Sequence, residues 1–258
     1  MGVYKMNLKG KKGIILGIAN QKSIAWGCAK ALKEAGADFG VTFLNEALEK
    51  RVRPLAAEIS ADFVIECDAT KSSHLEQLAI KAKETYGEID FIIHSVAYAS
   101  REALSHPVSH CSKENFEEAM SISAWSLLGV CGACKNIIKP GGSIVTMSYY
   151  GSTKVIQNYG IMGVAKAALE AEVRYLAEEL GETEIRVNAL SAGPIRTLAA
   201  AGIKGFKGYL DEVAQRSAIK KNVTADEVGS SCAFLVSDGS RGISGQVIYV
   251  DQGFSSLG

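Results

Sequence analysis

Short runs rich in β-branched and aromatic residues recur along the chain, separated by longer stretches whose apolar positions return every three or four residues. Gly13–Leu16, Phe39–Phe43, Phe63–Glu66, Phe91–His94, Ser143–Met147, Arg186–Leu190 and Gln246–Val250 read as strands with the pattern of buried parallel strands. The helical pattern occupies Ile24–Ala35, Ala47–Ile59, Leu75–Tyr86, Lys113–Ile138, Gly160–Leu180 and Ala225–Val236. Because the strand-helix alternation runs to the end, it predicts α/β architecture: a single doubly wound domain over residues 1–258, with a seven-stranded parallel sheet flanked by helices.

Local signals sharpen the boundaries. Ser73 with Glu76, and Thr224 with Glu227, have the spacing of a capping box, and Gly36 stands where a helix should stop. Two segments that follow strands, Ala97–Ser112 and Ala192–Leu210, lack strong periodicity. They fall at the sheet edge where doubly wound folds carry ligands.

Composition narrows the partners. The 258 residues include 28 Lys plus Arg and 28 Asp plus Glu, so no general positive field is available to hold nucleic acid or an anionic membrane. The start MGVYKMNLKG is too short and polar for a secretory signal, and no apolar run reaches membrane-spanning length. Met1-Gly2 resembles a myristoylation start, but position six is Met6 rather than Ser or Thr. These features predict a soluble, cytoplasmic protein.

The 6 cysteines suit reduced thiols better than a disulfide framework in a chain of this length. Cys131 and Cys134 form a CxxC inside a helical pattern, without a second pair to complete a zinc site, and read as buried small residues. His106, His110 and Cys111 flank Pro107 in a polar stretch without carboxylate support, which reads as a surface loop. No metal site is expected.

Candidate chemistry begins where the first strand ends. Leu16-Gly17 leads through Ile18–Ser23 into a helix beginning near Ile24, a turn able to present backbone N–H groups to a pyrophosphate. Gly17 would permit the tight turn, Ser23 would add a hydroxyl donor, and Gly27 would let the helix pack near the strand. Phe43-Leu44-Asn45-Glu46 closes the second strand with no immediate Arg or Lys for a 2′-phosphate, which favours NADH, although Lys22 could serve NADPH. Asp68, in Cys67-Asp68-Ala69, could accept from an adenine amino group or simply make a turn. Ser95, Val96 and Ala97 are small enough to let a ribose and nicotinamide lie against the backbone, while His94 fits a structural role as well as a functional one.

Tyr159 and Lys166 stand seven positions apart near the start of a long helical pattern. If the helix begins near Tyr159, seven steps of about 100° return within about 20° of the start, placing both on one face. Short-chain reductases commonly place Tyr four residues before Lys, and Met162 occupies that position here. The longer spacing moves the tyrosine about 4.5 Å further along the helix. Such a shift suits hydride delivery to the β-carbon of a conjugated thioester, since the proton donor must then sit further from the nicotinamide.

Gly17 through Gly27 with Ser23-Ile24-Ala25, Cys67-Asp68, His94-Ser95, Ser148-Tyr149, Asn158-Tyr159 through Lys166, Arg186-Val187-Asn188-Ala189, Ser191 through Thr197 and Gly242-Ile243-Ser244-Gly245 together closely resemble the enoyl-acyl-carrier-protein reductases of bacterial fatty acid synthesis. These form a divergent branch of the short-chain dehydrogenase/reductase family, with a Rossmann-like fold. The resemblance implies NADH-dependent reduction of the trans-2 double bond of enoyl thioesters. Tyr159 would stabilise the enolate, Lys166 would hold the nicotinamide ribose, and Tyr149 would be a second active-site tyrosine, with Tyr150 its neighbour in register.

It further implies cofactor contacts at Gly17, Ser23, Ile24, Leu44, Asp68, Ala69, Ser95, Val96, Lys166, Ile195 and Thr197, and substrate contacts at Ala97, Tyr98, Tyr149, Tyr159 and Met162. Leu44 stands where the family has a polar, ribose-facing residue, and the usual three-glycine loop is incomplete. Leu198–Ile203 suit a lid within residues 192–210, and Lys204 and Lys207 could dock the acidic acyl-carrier protein. A homotetramer is expected from the resemblance alone. The competing readings are an ordinary short-chain ketone or alcohol dehydrogenase, opposed by Met162, and a nonenzymatic dinucleotide sensor, opposed by intact Tyr149, Tyr159 and Lys166.

Overall fold

In the computed structural model, residues 6–198, 200 and 205–257 are described. Seven parallel strands form one sheet in the order β3-β2-β1-β4-β5-β6-β7. They are β1 (Lys12–Leu16), β2 (Asp38–Phe43), β3 (Val64–Glu66), β4 (Ile89–His94), β5 (Ile138–Ser148), β6 (Arg186–Ala192) and β7 (Val247–Val250). The direction of winding reverses between β1 and β4, and a crevice therefore opens beyond their C-terminal ends.

The strands lack polar alternation because both faces are covered. On β1, Ile15 enters one core cluster while Ile14 and Leu16 enter the other. Phe91 and Ile93 of β4 join the first cluster, and Ile92 the second. Helices α1 (Ile24–Glu34), α2 (Glu46–Glu58) and α9 (Ala225–Val236) cover the first face. Helices α3 (Ser72–Tyr86), α6 (Ser126–Cys134) and α7 (Ile161–Glu179) cover the second. No described helix is long and apolar enough to cross a membrane.

Several local expectations change. The helix expected over Lys113–Ile138 is α5 (Lys113–Met120), a π turn (Ser121–Trp125) and α6, and Ile138 already belongs to β5. The Ser126 hydroxyl donates back to the Ile122 carbonyl at 2.6 Å, a four-residue back-bond that competes with regular helix geometry. Ser73 does not cap α3: the N-cap is Lys71, whose side chain makes no capping bond. Thr224 and Glu227 do form a reciprocal capping box on α9, and α1 ends before Gly36, whose φ is +95°. The two aperiodic segments contain α4 (Arg101–Ser105) and α8 (Phe206–Arg216).

Gly27 serves a helix crossing rather than a helix–strand contact. A Cβ there would lie 2.2 Å from the Ala225 carbonyl oxygen, and one on Gly229 would lie 2.3 Å from the Gly27 carbonyl oxygen. Only two facing glycines let α1 and α9 approach this closely.

Candidate active site

The turn after β1 is built for close backbone approach. Gly17 has φ +101°, and a Cβ there would fall 2.0 Å from the Ser95 carbonyl oxygen, so the segment after β4 runs directly across it. The Ser23 hydroxyl oxygen accepts from the amides of Ala19 and Asn20 at 3.0 and 3.1 Å, which ties the loop down and leaves the hydroxyl proton free to donate. No side chain caps the first turn of α1 and no acid occupies it, so its amides and positive dipole end remain available to an anion. These residues fit the pyrophosphate of a dinucleotide.

At the end of β2, Leu44 is exposed and the Asn45 side chain caps α2 by accepting from Leu48 N at 3.1 Å. Lys22 and Arg51, with Asn20, Gln21 and Leu55, line an adjoining open depression of about 400 Å3. Asp68 makes the turn after β3. Burial opposes its charge, but the Thr70 hydroxyl and amide, reinforced by Lys71, hold the carboxyl below its ordinary range. Ala69 is buried in the second core cluster.

Beyond β4, Ser95 N donates to the Leu16 carbonyl at 3.1 Å, Val96 packs on the second core cluster, and Ala97 is half-buried. Tyr98 is exposed, while its backbone N and O are both bonded to the Ser123 hydroxyl at 2.9 Å. His94 is structural. Its ring lies fully buried between the hydroxyls of Thr146 (2.8 Å) and Ser126 (2.9 Å), and burial together with the Lys166 charge pushes it down to about 3.

Tyr149 and Tyr159 meet edge-to-face, with ring centroids 4.7 Å apart. Tyr150 instead packs edge-to-face on Tyr249 and Phe254. The Tyr149 hydroxyl donates to that of Tyr209 on α8 at 2.8 Å. Burial, and then Glu170, raise the Tyr159 phenol well above its usual range, and burial with Tyr209 does the same for Tyr149. Both phenols are therefore neutral donors over the whole physiological range.

The single-face helical arithmetic does not hold, because α7 begins at Ile161 and Tyr159 precedes it. Asn158 (φ +62°) and Gly160 (φ +47°) bend the chain on either side of Tyr159. Gly151 leaves room for its ring, since a Cβ there would meet Tyr159 Cδ1 at 2.4 Å, and Gly163 leaves room for the Gly151 carbonyl, 2.7 Å from where its Cβ would fall. The tyrosine is thus placed by a tight turn and by missing side chains, not by helical periodicity.

Lys166 is buried on α7, and its ammonium donates to the Met147 carbonyl at 2.7 Å. Burial lowers it to about 8, against the opposing pull of Glu170 and Glu172. Glu170, one turn further along α7, is the residue that sequence reasoning missed. It is buried, and one of its oxygens accepts from Ser148 at 2.5 Å and Ser152 at 2.6 Å. Its only signal in the sequence was an acid four residues after the lysine. Glu172 Oε2 is buried without a hydrogen-bond partner among the described residues, and burial lifts that carboxyl to about 7 although Lys166 pulls it down.

Met162 is buried in the first turn of α7, with its thioether 3.7 Å from the Ser123 hydroxyl, so no phenol stands four residues before the lysine. Ile195 packs on the first core cluster, and Thr197 Oγ1 accepts from Ala200 N at 3.1 Å. Lys207 is exposed on α8; Lys204 lies outside the described residues. Cys131 and Cys134 are buried free thiols, raised by burial, and no group of metal-binding side chains occurs among the described residues. His106 and His110 are exposed, beside α4 and in a short 3-10 turn.

Fold and site together define the Rossmann-like class of dinucleotide-binding domains. The family model described as enoyl-(acyl carrier protein) reductase matches residues 17–255, and the chain belongs to that family. It is 45% identical over 251 residues to enoyl-acyl-carrier-protein reductase (NADH) 1 of Rhizobium meliloti (strain 1021), covering 97% of this chain and 92% of that protein. The Rickettsia prowazekii (strain Madrid E) NADH-dependent reductase is 45% identical, with 97% and 96% covered. Among solved structures, the Aquifex aeolicus VF5 NADH enzyme aligns with TM-score 0.95 at 40% identity, covering 97% of this chain and 98% of that one. The Bacillus cereus reductase, solved with NADP+ and an indole naphthyridinone, aligns with TM-score 0.95 at 43% identity over 97% and 98%.

Proposed function

We propose that this protein is an NADH-dependent enoyl-acyl-carrier-protein reductase that saturates the trans-2 double bond of enoyl thioesters in fatty acid elongation. The observation that carries it is the edge-to-face Tyr149–Tyr159 pair, gathered with buried Lys166 beyond the strand ends, in a chain of this family. When bound, the reduced nicotinamide supplies a hydride for the β-carbon of the enoyl thioester.

Tyr159 donates a hydrogen bond to the thioester carbonyl and stabilises the enolate oxygen as charge develops there. Its raised phenol keeps the proton in place as a donor. Lys166 holds the ribose hydroxyls, with its ammonium aimed by the Met147 carbonyl. Gly17, Ser23, Ile24, Ser95, Val96, Ile195 and Thr197 line the cofactor's path, with Leu44, Asp68 and Ala69 at its adenosine end. Ala97, Tyr98 and Met162 border the acyl thioester.

The segment 192–210, of which residues 199 and 201–204 lie outside those described, is read as a lid, and the bond from Tyr149 to Tyr209 on α8 is its latch to the site. Exposed Lys207 provides a docking charge for the acidic carrier protein. A homotetramer is supported by the outer edge of β7, with half-exposed Phe234 and Tyr249 nearby, and by exposed Phe116, Trp125 and Leu128 on the opposite layer. The free, mostly buried thiols suit a reducing cytoplasm.

The test is NADH and NADPH oxidation with crotonyl or longer trans-2-enoyl thioesters, set beside ketone substrates. Consumption of NADH with enoyl thioesters is the expected result, and turnover of ketones alone would overturn the assignment.

A further inference from the structure

The seam between β5 and α7 holds more than the lysine. Met147, Ser148 and Tyr149 are consecutive, and each makes a different connection: the Met147 carbonyl accepts from Lys166, the Ser148 hydroxyl donates to Glu170, and the Tyr149 ring packs on Tyr159. Glu170 follows Lys166 by four residues on the buried side of α7, so the two residues stand one helical turn apart on the same face. The same Glu170 oxygen also accepts from Ser152, beyond the tyrosine. Both ends of the 148–152 turn are therefore pinned to one buried carboxylate.

We propose that Glu170 is a positioning residue of the reaction centre: gripped by Ser148 and Ser152, it fixes the turn that carries Tyr149 and supplies the negative charge that keeps Lys166 protonated. The proposal rests on Tyr149, Tyr159 and Lys166 forming that centre. A buried acid carrying two short hydroxyl bonds is costly to leave unpaired, and no cation forms a salt bridge with it among the described residues. Its charge is directed instead at the lysine and at the Tyr159 phenol.

The titratable groups that act on Lys166 are Glu170 and Glu172 on α7 and His94 on β4. His94, pushed down to about 3 by burial and by the Lys166 charge, is neutral. Glu172 contributes a second, weaker pull on Lys166. Glu170 is thus the principal counter-charge.

Two substitutions separate its duties. Glu170→Gln keeps an acceptor for both serines and removes the charge, whereas Ser152→Ala keeps the charge and loosens the turn. For each variant and the parent, the pH profile of kcat and the pH dependence of NADH binding by fluorescence are measured in the full-length protein. Glu170→Gln is expected to move the alkaline limb of both profiles down by about one pH unit. Ser152→Ala is expected to lower kcat at every pH, with the limb in place and NADH affinity unchanged.

A Glu170→Gln limb that coincides with the parent's overturns the charge role, and unchanged kcat in Ser152→Ala overturns the positioning role. If Glu170→Gln fails to fold, Glu170→Asp, which retains the charge, must keep the parental limb. A displaced limb there counts against the proposal. Should the parent reduce no enoyl thioester, the enoyl-reductase assignment fails, and the NADH-binding profiles still decide the Glu170–Lys166 link.

Discussion

Replacing Lys166 by methionine should make the cofactor-free protein relatively more stable at neutral pH while abolishing turnover. The buried ammonium has its pKa lowered from 10.5 to about 8, chiefly by loss of water, so the native state binds that proton less tightly than the unfolded chain does. Below about pH 8 both states are protonated and the wild type bears the full cost of the buried charge. Between about pH 8 and 10.5 the unfolded chain holds the proton more than the native state, and stability rises with pH through this window. At 1.36 kcal/mol per unit, the wild type should gain roughly 2–3 kcal/mol on Lys166→Met between pH 7 and pH 10. The methionine side chain also leaves the Met147 carbonyl without its donor, a loss of about 1–2 kcal/mol that does not vary with pH. Urea unfolding of both proteins at fixed concentration, at half-unit pH steps, isolates the pH-dependent part. A wild-type minus variant difference that stays flat from pH 7 to 10 would refute the buried, charged lysine.

Gly229→Ala places a methyl 2.3 Å from the Gly27 carbonyl oxygen, which is backbone and cannot swing aside, so α1 and α9 must separate. A loss of about 1–3 kcal/mol, or roughly 3–10 °C in Tm, is expected by calorimetry, and an unchanged Tm would contradict the tight crossing. Tyr209→Phe removes the acceptor of the Tyr149 hydroxyl, and KM for enoyl thioesters should change more than NADH affinity does; equal effects on both would argue against a latch. Lys22→Ala combined with Arg51→Ala should weaken NADPH binding severalfold more than NADH binding, as judged by fluorescence titration. Identical losses would remove the depression from any part in cofactor choice. Glu172→Gln should raise Tm more at pH 8 than at pH 5, since the native state favours the protonated acid and stability falls as that carboxyl ionises through about 7.

Much of this protein was legible from periodicity alone. Apolar runs such as Ile14–Leu16 and Phe91–Ile93 are covered on both faces, so their pattern needs no tertiary context to be read as buried parallel strand. The turn at Gly17 and the box at Thr224–Glu227 were equally visible, because those devices act within a few residues. The spacing argument for Tyr159 and Lys166 needs amending, because a positive-φ turn rather than a continuous helix sets Tyr159.

What tertiary structure decided lies between distant segments. Gly27 faces α9 because a helix crossing, 202 residues away at Gly229, uses the space its missing side chain leaves. Tyr149 rather than Tyr150 joins the site because the strand end rotates one ring toward Tyr159 and the other toward Tyr249. Glu170 acquires its meaning only where the end of β5 and the turn after it bring two serine hydroxyls to it, 22 and 18 residues earlier in the chain. Local propensity and burial pattern are properties of a short window of chain, whereas a buried charge is defined by which partners reach it through the fold.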